Sequence, residues 1–516
     1  MVRNEDFEMA QRFHEGTKHP GGRLLNPHHV YTGERPVLFK EYEGGQRVAL
    51  PADKSAGEMS AVQAIAAGET AATGKTTPDL ETVARLLYFS AGITKRINYG
   101  PRVGTIPFRA AACTGALYHI ELYVVCGDLP GLNAGVYHFD PQEEALTLLR
   151  RGDLRGTLVE ATGGTSSVAR APLTVVYSDV YWRNAIKYQA RAYRHAFWDS
   201  GTILSHSLAL AAAYRLPAEV VLGFADDRAN ELLGLDTDEE FALALLPVGE
   251  VEGAPQQGTG DLPALEAEPQ AKWPRRVGAI LEIHRASSLE DGEQAARWRR
   301  EELAVELPAA QGPLVALPEV SELERASDPL EEVILRRGSS RRFEHKTLSL
   351  QGLALALRQS TRGIVSDFGA LRGPALNHLY LIASAVQDLA PGAYVYHPGR
   401  HALELLHELS EAQARREAGH LALGQDLGAD AAVNIYFLSD LHAVLAHYGN
   451  RGYRAAQLEA SIMAGRIYLA AYAQEIGATG LTFYDDEVVQ FFSPQGTPHA
   501  QGKGVMFLVT RGGGGT

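Results

Sequence analysis

The stretch "RAYRHAFWDSG" (191–201) returns 260 residues later as "RGYRAAQLEAS" (451–461), with Arg191/Arg451, Tyr193/Tyr453, Arg194/Arg454, Ala196/Ala456 and the acids Asp199/Glu459 in register. One match of this length means little, but the shift carries on. It reaches "GFADDRANELLG" (223–234) and "FYDDEVVQFFS" (483–493), setting Phe224 opposite Tyr484. Upstream the register slips to 259, with "ALYHIELYVV" (116–125) against "ALNHLYLIAS" (375–384) and "VYHFD" (136–140) against "VYHPG" (395–399). Further back, "TPDLETVARLLYFSAGI" (77–93) resembles "TLSLQGLALALRQSTRGI" (347–364) at a shift of 270 to 271. The chain is one domain written twice, with a period far too long for a solenoid.

Each copy reads α+β. Strands are predicted at "HIELYVV" (119–125), "LTVVYS" (173–178) and "FALALLPV" (241–248), and in the second copy at "LYLIAS", "VNIYFLS" and "VMFLVT". Between the second and third strands of each copy runs a long helix, 193–214 and 453–474, apolar or small on nearly every face. Such a helix has to be buried on all sides, so the two copies are expected to pack long helix against long helix as a pseudo-dimer within one chain. The repeated arginines are then expected to form ion pairs across that interface, with Asp199 or Glu459 as partners. "EGAPQQGTGDLPALEAEPQAKWP" (252–274) reads as linker, followed by a charged helical stretch to about residue 305. The expected division is 1–250, 251–320 and 321–516.

Composition narrows the function. With 516 residues, 45% hydrophobic, the chain can fill its cores, and a formal net charge of −14 argues against a nucleic-acid partner. No apolar run approaches the ~18 residues a membrane span needs. Two cysteines, Cys113 and Cys126, and no leader-like start make a cytoplasmic protein with reduced thiols the expectation. No Cys/His set has zinc spacing, His28 and His29 read as loop, and no metal is expected.

Against that acidic background "RRGSSRRF" (336–343) stands out. "SDPLEEVILRR" before it reads as a short helix, with Asp328 as N-cap and Leu330, Val333 and Ile334 on one face, ending near Gly338. If the chain then runs extended, Arg337, Ser339 and Arg341 point one way, and two forked guanidiniums with a hydroxyl suit a phosphate dianion. A solvated basic turn at a helix C-terminus is the competing reading.

The pattern R-x-S-x-R-x-F opening a domain, a strand preceded by "CTGALYHIELYVV", a buried central helix and a last strand ending in Arg together resemble the flavin-dependent nitroreductase superfamily. The first copy, through "AQRFHEGTKHP", "RPVLFKEYEGGQRVALP" and "WRNAIKYQARAYR", is similar more narrowly to SagB-type dehydrogenases, which use FMN to oxidise thiazolines and oxazolines to azoles. The resemblance implies two tandem nitroreductase-like domains, FMN as cofactor, and its phosphate held by Arg337, Ser339, Arg341 and Arg511. The first copy lacks both anchors: "IAAGETAATGK" stands before Thr77, and Gly249 aligns with Arg511. One FMN per chain is therefore expected. By the same resemblance the turn Cys113-Thr114-Gly115-Ala116 approaches the flavin ring from the first copy, and backbone donors of Leu481, Thr482 and Phe483 run along its edge. Cys113 reads equally as a small core residue. Lys187 and Tyr188 match the Lys-Tyr pair of SagB-type enzymes, and the lysine is the candidate base; an exposed pair before a helix is the bland reading. The second copy has His447-Tyr448 there.

Three functions follow as expectations: a SagB-like dehydrogenase acting on a small molecule or peptide, with oxygen as acceptor; an NAD(P)H-dependent nitro or quinone reductase; or a non-catalytic tandem protein binding flavin or peptide. A Rossmann dehydrogenase is disfavoured because no G-x-G-x-x-G follows a strand. Association of two chains into a further homodimer is compatible with the sequence.

Overall fold

The computed structural model describes residues 3–20, 37–66, 77–101, 104–253, 262–269, 276–299, 303–319, 328–369, 376–493 and 503–513. Its centre is two antiparallel sheets, each with helices against it. The first has six strands in the order Arg47–Ala49, Ala145–Arg151, Gly135–Asp140, Ile120–Cys126, Leu173–Asp179, Phe241–Val248. The second repeats that order with Leu314–Ala316, Ala402–Glu408, Gly392–His397, Asn377–Ala383, Val433–Asp440 and Lys503–Gly512, and adds Gly477–Gly480 as a seventh strand. Even the irregularities recur: the pairing of Leu173–Asp179 with Phe241–Val248 shifts register at Tyr177/Ser178, and that of Val433–Asp440 with Lys503–Gly512 at Phe437/Leu438, again 260 apart. Two tandem domains of one fold thus form the chain. The expected strands are all present; the hairpin strands between them, which alternate less cleanly in sequence, were not anticipated.

Pairing also corrects one alignment. Leu173 pairs with Val248 and Val433 with Arg511, so Val248, not Gly249, occupies the place of Arg511. The substitution is still of a cation by an uncharged residue. The stretch between the copies is partly folded: Ala267–Pro269 pairs with Tyr42–Gly44, Leu314–Ala316 joins the second sheet, and helices Gly278–Ala286 and Gly292–Trp298 precede it.

The long helices are Ala192–Ala213 and Arg451–Tyr472, buried on essentially every face. They touch each other more extensively than any other pair of elements. The contact is possible because Gly201 lies against Ser461 and Gly465 against Ser205, each glycine leaving no room for a Cβ. Ser461 and Ser205 are the positions equivalent to Gly201 and Gly465, so the crossing obeys the pseudo-twofold relation of the copies. Beside it Trp198 donates its indole N–H to Gln457 Oε1 at 2.6 Å.

Ion pairs lock the crossing at the N-terminal ends of both helices, where Phe13 packs on Tyr193 and Tyr453 alike. Arg191 and Arg194 reach Asp485 at 3.0 and 2.6 Å; Arg451 and Arg454 reach Asp226, both at 2.6 Å. These pairs cross between the copies as expected, but their partners are not Asp199 and Glu459, which turn inward to hold backbone amides. Asp226 and Asp485 begin equivalent helices, so the register there is 259, and the ring opposite Phe224 is Phe483 rather than Tyr484. Each of those rings lies under an arginine, Arg451 over Phe224 and Arg191 over Phe483. Burial works against ionising Asp226, yet the two guanidiniums hold its carboxyl down to about 2.

The seam generates a stability prediction. Gly201→Ala places a methyl in the space of the Ser461 hydroxyl and costs about 1–3 kcal/mol, read as a lowered unfolding midpoint. Ser461→Gly in the same chain recovers part of that loss, and strict additivity of the two changes would refute the contact.

Candidate active site

The helix Leu330–Arg336 leads into the arginine-rich stretch, and Pro329, not Asp328, is its N-cap; the Asp328 carboxylate instead takes the Arg336 guanidinium at 2.7 Å. The chain beyond is extended from Arg337. Arg337 is buried and crosses into the first copy, where its Nε donates to the Ala110 carbonyl at 2.6 Å and its Nη2 to the Arg109 carbonyl at 3.2 Å. Its Nη1 is buried without a hydrogen-bond partner, and burial pulls its pKa down. Lys95 of the first copy returns the contact, donating to the Arg336 and Arg337 carbonyls at 3.1 and 3.0 Å.

Ser339 lies within hydrogen-bond reach of the Tyr468 hydroxyl, which also receives the Gly480 N–H. Arg341 is exposed beside Lys187 and Tyr188. Arg511 is fully buried: Nη1 donates to the Gly352 carbonyl at 3.2 Å, while Nε and Nη2 have no partner. Burial alone brings Arg511 down to about 10, with no carboxylate to offset it. A buried guanidinium without a counter-ion is costly, and a bound anion removes the cost. Arg337 and Arg511 are thus suited to an anionic group in a way that the carboxylate-paired Arg191, Arg194, Arg451 and Arg454 are not. Among the described residues no hydrogen bond joins Arg511 to Arg337 or Arg341.

From the first copy comes the turn Cys113–Ala116, with Gly115 at φ +64° and Ala116 at φ +53°. Asp199, on the long helix, holds it: the Thr114 amide and hydroxyl donate to its carboxylate at 2.8–3.0 Å, and the Cys113 thiol at 3.1 Å. Burial and the Asp199 charge push the Cys113 thiol well up, so Cys113 is a positioning thiol and not a thiolate. The Tyr188 hydroxyl lies against Gly115, close enough that a Cβ there would be in tight contact. Lys187 stands with its ammonium 5.0 Å from the centre of the Tyr188 ring. Its side chain reaches the surface, and partial desolvation, with the Arg341 charge, lowers its pKa.

On the far side, Leu481 donates its amide to Leu508, Thr482 shares its hydroxyl with His19 at 3.0 Å, and Phe483 is buried against Trp198. The structure therefore brings Arg337, Ser339, Arg341, Lys187, Tyr188 and the 113–116 turn to one border between the copies, with 481–483 against the neighbouring face of the long helix.

Sequence reading missed the group that supports the turn. His119 donates Nδ1–H to Asp179 at 2.6 Å and Nε2–H to Asp199 at 2.7 Å, all three buried. Burial disfavours the imidazolium, but the two carboxylates outweigh it and hold the pKa up to about 9. A sulfur, a ring nitrogen and a carboxylate of Cys113, His119 and Asp199 lie within 4.8 Å of one another, though each is engaged in these hydrogen bonds. The sequence holds a signal: Asp179 directly follows the predicted strand 173–178, and His119 opens the predicted strand 119–125.

Residues 334–493 match the model of the nitroreductase family. The protein named "Putative nitroreductase MJ1384", from Methanocaldococcus jannaschii, is 24% identical over 170 residues, 33% of this chain and 80% of its own. The "Microcin B17-processing protein McbC" of Escherichia coli is 27% identical over 127 residues, 24% of this chain and 47% of its own. A crystal structure from Anabaena variabilis, also described as a "putative nitroreductase", shares the fold over both halves: TM-score 0.73, 24% identity, 98% of this chain and 99% of that one. The second domain thus carries the sequence pattern of the nitroreductase family, both domains share the fold of that structure, and the chain is an oxidoreductase. Among the described residues no helix is long and apolar enough to cross a membrane.

The His119 pair carries a pH prediction. A histidine raised from 6.5 to about 9 on folding contributes stability that is complete below pH 6.5 and lost as pH rises through 9. The unfolding midpoint should fall across that window, and His119→Gln should remove the fall. An unchanged pH profile in the variant would contradict a charged His119.

Proposed function

We propose that the chain is an FMN-dependent dehydrogenase of the SagB type, with one flavin per chain, oxidising an azoline-type ring of a peptide or small molecule to the azole. The observation that carries this reading is the pair of buried, carboxylate-free guanidiniums, Arg337 opening the second domain and Arg511 closing it. The nitroreductase family generally binds flavin, and a dianionic phosphate matches these donors. In this reading Arg337, Ser339, Arg341 and Arg511 hold the phosphate, the 113–116 turn borders the ring from the first domain, and Leu481–Phe483 border its edge. When bound, the flavin supplies a two-electron acceptor for hydride. The chain's own part is to take the proton: Lys187, with its lowered pKa, accepts it from the carbon next to the one losing hydride, and Tyr188 orients the ring. The substrate would lose one hydride and one proton, with oxygen as the terminal electron acceptor. The likeness to a protein named for processing microcin B17 supports a peptide substrate.

A second reading, an NAD(P)H-dependent nitro or quinone reductase, is favoured by the relative named as a nitroreductase, most of whose length this chain matches.

The purified chain should be yellow, with close to one FMN per chain. Arg337→Ala and Arg511→Ala should each weaken FMN binding by about 10- to 150-fold, as expected for losing a charge-assisted bond of roughly 1.5–3 kcal/mol; unchanged affinity in both would exclude this phosphate site. Lys187→Ala should abolish azoline oxidation while flavin stays bound, and activity surviving that change would remove Lys187 from its role. Anaerobic mixing with NADPH separates the two readings: rapid bleaching of the flavin identifies the reductase.

A further inference from the structure

The first domain carries a hairpin, Ile93–Asn98 paired with Thr105–Arg109, for which the second domain has no counterpart among its described residues. Its base is fastened at the candidate site: Lys95 donates to the Arg336 and Arg337 carbonyls, and Arg337 donates to those of Arg109 and Ala110. Its other end stands in solvent. Among the described residues the two strands form a sheet of their own, and neither pairs with a third.

Side chains alternate along a strand, so Lys95, Ile97 and Tyr99 share one face, joined by their cross-strand partners Phe108 and Ile106. That face is apolar and incompletely covered. Ile97 is 43% and Tyr99 52% exposed, two of the three large hydrophobic side chains exposed in the described structure. Isolated apolar residues at a surface mean little, but these form a row that begins at Lys95, against Arg337, and leads outward. The edges differ. Pro107 lacks an N–H and blunts the strand Thr105–Arg109 as a template, whereas Ile93–Asn98 contains no proline. The opposite face of the same strand is cationic: Arg96 is exposed there, in a chain of net charge −14.

We infer that the strand Ile93–Asn98 is the docking edge for an extended, acidic segment of a peptide substrate, which joins the hairpin as a third strand. Its apolar side chains lie over Ile97 and Tyr99, and its carboxylates, on the opposite face, meet Arg96. This rests on the peptide-substrate reading of the same site. Strand addition supplies affinity through main-chain hydrogen bonds and selectivity through alternate side chains, so it accepts many sequences while fixing the distance from the docked segment to the site.

The test is fluorescence anisotropy with the full chain and a fluorescein-labelled ten-residue peptide of alternating valine and glutamate. A peptide of alternating valine and lysine serves as the control. The acidic peptide should bind, at least tenfold more weakly to an Ile97→Ser/Tyr99→Ser variant whose circular dichroism and flavin content match the parent; the basic peptide should not compete. Equal binding to parent and variant, no binding of the acidic peptide, or equal binding of the basic one would overturn the proposal. So would sedimentation in which the parent self-associates through this face and the variant does not, since the occupant would then be a second copy. Because binding is read without turnover, a chain that docks the peptide through this face but oxidises no azoline would refute the proposed reaction and leave the docking edge standing.

Discussion

The close crossing of the two long helices is the constraint on which the molecule depends. A helix buried on every face cannot be covered by one sheet and its flanking helices, so each copy is incomplete alone. The glycines at 201 and 465 let the backbones approach until the serine hydroxyls touch the partner helix, and the Ser461 hydroxyl donates to the Phe197 carbonyl across the seam at 2.7 Å. The arginine pairs at the N-terminal ends of the two helices are the polar consequence. Four guanidiniums are driven into a low-dielectric interface, and each pair is answered by one aspartate at the start of a helix, where the helix dipole also favours negative charge.

That crossing also determines where chemistry can occur. Trp198 and Asp199 sit on the first long helix one turn from the glycine contact; Tyr468 sits on the second. Asp199 organises the 113–116 turn, Trp198 packs on Phe483, and Tyr468 binds Gly480 beside Arg337. The border that collects the candidate residues is thus built from side chains rooted in the two most rigid elements. Short segments carry the polar groups, and the helices fix their separation.

Much of this was legible in the sequence because duplication acts as an internal alignment. The repeat exposed the buried helices, and a helix without a polar face required a partner. The arginine cluster stood out against an acidic chain, and its first member is buried as a phosphate ligand would be. What the sequence hid were one-residue offsets and choices among acids. The slip that sets Phe483 opposite Phe224 arises inside a loop, where no periodicity constrains register. Asp485 rather than Glu459 answers Arg191 because the helix start presents its carboxylate across the seam, while Glu459 is committed to the Leu376 amide and Asn377. The Asp179–His119–Asp199 chain escaped because its members are separated by 60 and 20 residues and converge only when the strands pair.

The two halves diverge where their equivalence predicts a second site. Val221 and Leu481 make the same bond to the last strand, to Leu245 and Leu508, so Leu222 and Gly223 fall where Thr482 alone stands in the second domain. In the first domain those two amides are bound by the Asp367 carboxylate at 2.8 and 2.7 Å, delivered by the segment that replaces the hairpin in the second domain. Tyr448, the counterpart of Tyr188, is likewise engaged: its hydroxyl meets the Leu303 amide and the Phe368 carbonyl, and its own carbonyl takes the Trp298 indole. The linker and the Asp367 segment therefore fill one corner of the pseudo-dimer with the chain's own polar groups. At the corresponding corner the hairpin folds outward instead, and the Arg337 guanidinium lies behind it. An insertion in one copy and a carboxylate in the other are enough to make the two corners of the pseudo-dimer unlike.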